Sequence, residues 1–220
     1  SYFNPIDSQQ IKTNEDIFLI QGDFERKGKS EKITCGLKRN QKKQFKRNKK
    51  EYDKLANHIG LFPLVMISPY DVNLIMDGSE ERRKFIDNVI SQTDSIYLDE
   101  LIIYNKHLLN RNALLKQVAV TRKLDLSLLE ILDEQLILSG NKIFQKRKQF
   151  LLDFIPLFNK HYSFITDNAE YVSLNYQSQL NEHSYEELLK QTIDRDRILE
   201  RTTTGIHKDE LQFTIEDMPL

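Results

Sequence analysis

Apolar residues recur at steps of three and four through residues 79–164, the longest regular pattern in the chain. This spacing places them on one face of an α-helix. No proline occurs between Pro69 and Pro156, and residues 118–125 interrupt the pattern with β-branched and charged side chains. The pattern predicts two antiparallel helices joined by a short turn, either within a helical bundle or as an arm that projects from a body. The apolar positions are Tyr97, Leu101, Tyr104, Leu108 and Leu115 in the first run, and Leu128, Leu132, Leu136, Ile143, Phe150, Leu157 and Phe158 in the second.

Alternation of apolar and polar residues indicates β-strands in the first third of the chain. Residues 16–24 and 33–37 alternate, a glycine-containing turn at 26–29 separates them, and a third strand is expected around Phe45. These strands predict an antiparallel meander with one apolar face and one strongly basic face. Residues 62–68 form an apolar run that a proline ends, which predicts a buried strand.

Alternation returns towards the end of the chain. Residues 170–176 and 211–215 are predicted strands. Between them, Ser184 and Glu187 have the spacing of a capping box, which predicts a helix that extends to about Leu199. The fold class is therefore α+β, an antiparallel meander combined with a long helical hairpin and a small strand–helix return.

Composition is that of a globular protein with much solvated surface. The 220 residues are 39% hydrophobic and 30% charged. No apolar run is long enough to cross a membrane, so we expect a soluble protein. The single cysteine, Cys35, lies in an alternating pattern and is interpreted as a core thiol; one cysteine forms no internal disulfide, which agrees with a cytoplasmic location.

Charge is spread unevenly although the total is only −1. Residues 26–50 contain twelve lysine and arginine residues against the single acid Glu31, a net charge of +11. Cations on one face of a sheet neutralise phosphates, so the segment predicts contact with the backbone of duplex DNA without sequence readout. The alternative is a solvated strand face in a helical scaffold that binds only protein. The predicted DNA-binding residues are Lys38, Arg39, Lys42, Lys43, Lys46 and Arg47.

Motifs for catalysis and metal binding are not found in the sequence. Gly28-Lys29-Ser30 resembles the end of a P-loop, but the glycine that should stand five positions earlier is Asp23, and the tripeptide lies in a predicted hairpin. The five histidines are scattered, so no metal site is expected, and no serine nucleophile motif occurs.

A helix that begins at Ser79 carries the charged segment 82–87. Arginine binds a carboxylate with two parallel hydrogen bonds. We therefore predict that Arg82 or Arg83 is buried against a carboxylate, with Asp87 as the first candidate. Such a pair would attach the predicted arm to the body.

Longer motifs follow one another along the chain at 69–74, 82–87, 110–115 and 202–211. Their letters are Pro69-Tyr70-Asp71-Val72-Asn73-Leu74, then Gly78, Arg82-Arg83-Lys84-Phe85-Ile86-Asp87, Tyr97, Tyr104, Asn110-Arg111-Asn112-Ala113-Leu114-Leu115, and Thr202-Thr203-Thr204-Gly205-Ile206-His207-Lys208-Asp209-Glu210-Leu211. In content and order they resemble the RecF family of bacterial recombination mediators. One departure is Ile206, where the family usually has proline.

This resemblance implies an ATPase head of the ABC/SMC type with a helical arm inserted in it. Residues 1–68 and 201–220 would belong to the β-rich head, and residues 69–200 to the arm domain with its strand–helix return. The resemblance further implies a DNA repair, recombination and replication protein that uses ATP and Mg²⁺. Such a protein dimerises with ATP, binds duplex or gap-junction DNA, and cooperates with RecR and RecO in loading RecA.

The resemblance also implies what this chain lacks. The family's P-loop precedes the matched part, and its signature and Walker B segments follow it. We therefore expect a fragment that is inactive and binds no cofactor by itself, whereas the full-length protein would be a slow ATPase. Asp71 and His207 are implied to lie near the nucleotide.

Overall fold

The computed structural model describes residues 6–216 and 218–219 and divides the chain into two compact units, 1–64 and 65–220. Among these residues no helix combines the length and apolarity needed to span a membrane. The first unit is a four-stranded antiparallel sheet in the order β1-β2-β3-β4. Its strands are β1 (Ile17–Arg26), β2 (Lys29–Lys38), β3 (Gln44–Arg47) and β4 (Lys50–Glu51).

The hairpin between β1 and β2 confirms the predicted meander. Its two turn residues, Lys27 and Gly28, have φ angles of 51° and 73°. Two positive φ values give the type of turn whose twist matches that of paired strands. Gly28 therefore serves a hairpin rather than a phosphate-binding loop.

The second unit contains the helices and a three-stranded antiparallel sheet in the order β5-β6-β7. The helical region that the sequence predicts is divided at Asp94 and at residues 122–125. The predicted break was residues 118–125, so the helix before it extends to Thr121, further than expected. Its helices are α1 (Asn73–Met76), α2 (Ser79–Thr93), α3 (Ser95–Thr121), α4 (Leu126–Ile165) and α5 (Tyr185–Leu199), and its strands are β5 (Val172–Gln177), β6 (Glu210–Ile215) and β7 (Met218–Pro219).

The core of the second unit joins α2, α3, α4 and α5 to β5 and β6. Tyr97, Tyr104, Leu136 and Ile143 are at most 1% exposed, as their helical spacing predicts. The capping box of Ser184 and Glu187 is present at the start of α5. Since β6 pairs with β5 along its whole length, residues 210–215 lie in the same compact unit as the helices. The division into head and arm domains stays a prediction.

The predicted buried strand at 62–68 is wrong. No residue of this segment lies in a strand, and the Val65 and Ile67 side chains are 90% and 86% exposed. An apolar run becomes a buried strand only beside a neighbouring strand that pairs with it. The described part of the chain offers this segment no such neighbour.

Candidate nucleic-acid interface and polar core

Three of the six predicted DNA-binding residues lie together on one face of the first unit. Thr34 and Lys38 are four positions apart on β2, so their side chains lie on the same face of the sheet. Lys46 of β3 stands directly opposite Thr34 and therefore points to that face too. Lys42, in the loop between β2 and β3, lines the same shallow cavity. We call Lys38, Lys42 and Lys46 the lysine face. None of the three forms an ion pair with a carboxylate in the described part of the chain.

The lysine face is less uniformly basic than the sequence predicts. The same side of the sheet also carries Ile17 and Leu19, which are 57% and 65% exposed. It carries Asp23 as well, which lies 3.7 Å from Lys32. Alternation places side chains on a face without regard to their chemistry, so apolar and acidic residues share this one with the lysines.

The other three predicted residues are bound to protein groups. Arg39 donates to the Glu15 carbonyl oxygen over 3.0 Å, and the Lys43 ammonium lies 2.6 Å from a carboxylate oxygen of Asp7. Arg47 lies on the opposite face of the sheet and grips Glu31, with 2.9 Å between Nε and Oε2. These three cations therefore differ from the lysine face in having partners within the protein, and Arg47 also lies on the other side of the sheet.

The Arg47–Glu31 pair holds β3 against β2. Asn48 donates a further hydrogen bond to Glu31, over 2.6 Å, and the Glu31 side chain is only 8% exposed. The hydrogen bonds from Arg47 and Asn48 lower the pKa of Glu31 to about 2. Arg47 thus has a structural role that its place in a basic segment did not reveal.

Arg147, a residue of α4, is the centre of a buried polar network in the second unit. It is 2% exposed and lies 3.0 Å from carboxylate oxygens of both Asp87 and Asp209. It also donates to the Ile206 carbonyl oxygen over 2.8 Å. The hydroxyl of Tyr97 donates to Asp87. We call Arg147, Asp87, Asp209 and Tyr97 the Arg147 network; it joins α2, α3 and α4 to the segment before β6.

The predicted partner of Asp87 is therefore wrong. Asp87 pairs with Arg147 rather than with Arg82 or Arg83. Arg82 binds a different carboxylate, Glu210, at 2.9 Å, and Arg83 donates to the Asp209 carbonyl oxygen over 2.5 Å. The sequence predicts an anchoring arginine in this segment, but the partners lie 60 or more positions away. Only tertiary packing, of helices and of the segment that leads into β6, brings them close.

Arg111 forms a second buried arginine site between α3, α4 and α5. Its side chain is fully buried and lies 2.6 Å from carboxylate oxygens of Asp133 and Asp196. It also donates to the Thr202 hydroxyl over 2.9 Å. The helical spacing could have identified both arginines as buried. Arg111 stands seven positions after Tyr104 and Arg147 four after Ile143, so each lies on the face that its helix buries. A cation at a core position predicts a buried carboxylate partner.

His207 lies in a chain of hydrogen bonds that follows Gly205. The Tyr104 hydroxyl lies 2.8 Å from Nδ1 of His207, and Nε2 lies 3.1 Å from the Thr202 carbonyl oxygen. Because a carbonyl only accepts, the proton is on Nε2, and Tyr104 donates to Nδ1. Burial lowers the pKa of His207 to about 4. Gly205 has a φ of +114°, and a Cβ there would stand 2.1 Å from the Tyr185 hydroxyl, so only glycine fits this turn.

Asp71 has a local structural role. Its carboxylate accepts the Ser68 amide over 2.7 Å and completes the cap of the Pro69–Val72 turn. It also lines a largely apolar cavity of about 480 Å³ that α2, α4 and the β5–β6 sheet enclose. The nucleotide-adjacent roles of Asp71 and His207 stay predictions.

We expect the free energy of unfolding of the second unit to fall as the pH falls from about 6.5 to about 4. The unfolded histidine takes up a proton near its usual pKa of ~6.5, whereas the folded state resists protonation until about pH 4. The unfolded state therefore binds more protons in this window, and the contribution of His207 is roughly 3 kcal/mol. Urea titrations of the wild type and His207→Gln at several pH values measure it.

The difference between the two proteins isolates His207. Burial raises the pKa of Asp133 and of Asp209, so these carboxyl groups act in the opposite direction, but they are present in both proteins. Parallel stability profiles across this pH window would show that His207 is not the group responsible.

Solved structures of known proteins have the same architecture as this chain. The fold matches two solved structures of the recombination mediator protein RecF of the RecFOR pathway, one described with ATPrS and one with ATP. The first has a TM-score of 0.87 and 30% identity over 96% of this chain and 59% of that one. The second has a TM-score of 0.89 and 27% identity over 100% and 61%. The chain thus has part of an ABC ATPase-type fold, and the predicted α+β class is confirmed.

Sequence comparison identifies the family. The DNA replication and repair protein RecF of Flavobacterium johnsoniae is 50% identical over all 220 residues, which cover 61% of that protein. RecF of Parabacteroides distasonis is 50% identical over 215 residues, which cover 98% of this chain and 58% of that protein. No family model matches the chain. The chain belongs to the RecF family, and it spans about three fifths of the length of these relatives.

Proposed function

We propose that this chain supplies a DNA-binding and partner-binding part of a RecF-type recombination mediator. The observation that carries the proposal is the lysine face, whose three cations form no ion pair among the described residues and lie on a sheet or in its loop. The chain is 50% identical to DNA replication and repair proteins. Such cations bind phosphates and release counterions, so the contact would be independent of base sequence.

In the complete protein we propose that ATP and Mg²⁺ control a homodimer that clamps DNA. The solved relatives described with ATP or ATPrS, and their place in the RecFOR pathway, support a nucleotide-dependent cycle with RecR and RecO as partners. The family resemblance supports slow ATP hydrolysis, recombinase loading at gaps and a cytoplasmic location.

A duplex-binding measurement tests the role of the lysine face. We expect fluorescence anisotropy at ~50 mM salt to show binding that weakens as salt rises, with a log–log slope near −3.6 if about four phosphates are neutralised. The triple variant Lys38→Glu, Lys42→Glu and Lys46→Glu should lose most of this affinity, because its carboxylates repel the phosphates.

The matched control changes the same charge elsewhere. Lys106, Lys116 and Lys123 are exposed and lie on α3 or directly after it. Their replacement by glutamate should leave most of the affinity if the lysine face is the site. Equal binding by the wild type and the lysine-face variant, or binding by neither at low salt, would contradict the proposal.

The second candidate function is a helical scaffold that binds only protein. A groove between α4 and α5 favours it, since its lining includes Leu129, Ile137, Leu189 and Ile193. The same anisotropy experiment separates the two functions, because a protein scaffold without a DNA site would bind no duplex.

A further inference from the structure

A polar cleft of about 400 Å³ lies between α2, α3 and the turn that contains His207. Four cationic side chains and two carboxylates line it. The cations are Arg83, Lys84, Arg147 and Lys208, and the carboxylates are Glu80 and Asp87. The cleft therefore carries an excess of positive charge.

Two of these four cations form no ion pair with a carboxylate of the described residues. Asp87 is bound to Arg147, as described above. Lys84 lies 2.9 Å from Glu80 and 2.8 Å from Glu81. Arg83 and Lys208 form no ion pair with a carboxylate of the described residues.

The geometry of Arg83 leaves part of its guanidinium available. Its Nη1 donates to the Asp209 carbonyl oxygen over 2.5 Å, which fixes the side chain at the edge of the cleft. Its Nε and Nη2 donate to no acceptor in the described part of the protein. A planar guanidinium held in this way presents two parallel donors, which suits two oxygens of one phosphate.

Lys208 stands among other cations. Partial burial lowers the pKa of its ammonium group, the neighbouring Arg201, Arg83 and Arg195 lower it further, and the carboxylate of Asp196 acts in the opposite direction. Like charges close together destabilise one another. An anion bound between Arg83 and Lys208 would remove this repulsion.

We propose that the cleft binds a phosphate group between the Arg83 guanidinium and the Lys208 ammonium. The exposed amide of Asn105, which also lines the cleft, offers a further donor. The phosphate belongs either to a nucleic-acid backbone or to a free phosphorylated ligand, because both present the same oxygens. The residues of this site belong to the second compact unit, and those of the lysine face belong to the first.

The free-phosphate arm of the test uses inorganic phosphate and NMR of the arginine Nε–H groups. The Arg83 signal, identified by its loss in Arg83→Lys, should shift saturably in the wild type. Lys208→Gln should weaken this response at least several-fold. Lys208 is exposed, so its replacement leaves the fold intact. Lys84→Gln is the control, because that ammonium group already binds two glutamates, and it should respond as the wild type does.

The nucleic-acid arm uses duplex anisotropy in the variant whose lysine face carries three glutamates. Any affinity that remains there comes from elsewhere, so a failure of the lysine-face proposal does not affect this measurement. Adding Lys208→Gln and Arg83→Lys should reduce the remaining affinity about tenfold, and adding Lys84→Gln should not.

Each result decides the proposal. A phosphate shift without an effect on duplex binding supports a free phosphorylated ligand. A loss of duplex binding, with or without a phosphate shift, supports a nucleic-acid phosphate. The absence of both effects, or equal effects in the Lys84→Gln control, overturns the proposal.

Discussion

Replacement of Arg147 by methionine should lower the free energy of unfolding of the second unit by about 3–5 kcal/mol. The change leaves Asp87 and Asp209 without their shared cation, and Asp209 is 1% exposed. A buried carboxylate without a partner costs several kcal/mol of desolvation, on the order of what a buried ion pair loses when one member is removed. Urea unfolding followed by circular dichroism measures the loss.

Two further variants make this test specific to the Arg147 network. Lys146, the preceding residue of α4, pairs with Asp94 at the surface, and its side chain is 54% exposed. Lys146→Ala should cost only ~0–1 kcal/mol, as exposed pairs do. Adding Asp87→Asn to Arg147→Met should recover part of the loss, since one stranded charge is removed. A loss below about 1 kcal/mol for Arg147→Met would show that the network does not stabilise the fold.

Replacement of Arg111 by methionine should have an effect of similar size, about 3–5 kcal/mol, because Asp133 and the fully buried Asp196 lose their cation. Asp196 keeps its hydrogen bonds from the Thr203 amide and hydroxyl, at 2.9 Å and 2.6 Å, but these do not neutralise its charge. Thermal and urea unfolding of the purified variant measure the change.

The control for Arg111 lies on the same helix. Lys116 is exposed, and Lys116→Ala should change the unfolding free energy by no more than about 0.5 kcal/mol. If Arg111→Met and Lys116→Ala melt alike, then Arg111 does not connect α3 to α4 and α5 in the way that its distances indicate.

The two arginine sites show how the motifs of the RecF family act together. Arg111 belongs to the 110–115 motif and binds the hydroxyl of Thr202, the first residue of the 202–211 motif. Asp87 ends the 82–87 motif and shares Arg147 with Asp209 of the 202–211 motif. These contacts tie the helical hairpin to the chain that leads into β6. A loss of either site should therefore disturb the place of β6 as well as the hairpin.

The sequence by itself determined the elements whose signals are local. Helical spacing predicted α3 and α4, alternation predicted β1, β2, β5 and β6, and the Ser184–Glu187 spacing predicted the start of α5. The pattern that predicts each of these features lies within one or two helical turns or within a single strand. The local amino-acid sequence is therefore sufficient to predict these helices and strands.

Only the tertiary structure decided which charged groups meet. Asp87 pairs with Arg147, 60 positions away, and Arg82 pairs with Glu210, 128 positions away. Arg47 binds Glu31 on the side of the sheet opposite the lysine face. The tertiary structure also left residues 62–68 outside any strand. The physical reason is the same in each case. A charge or an apolar run takes the partner that packing brings within a few ångströms, and packing depends on segments that are distant in sequence.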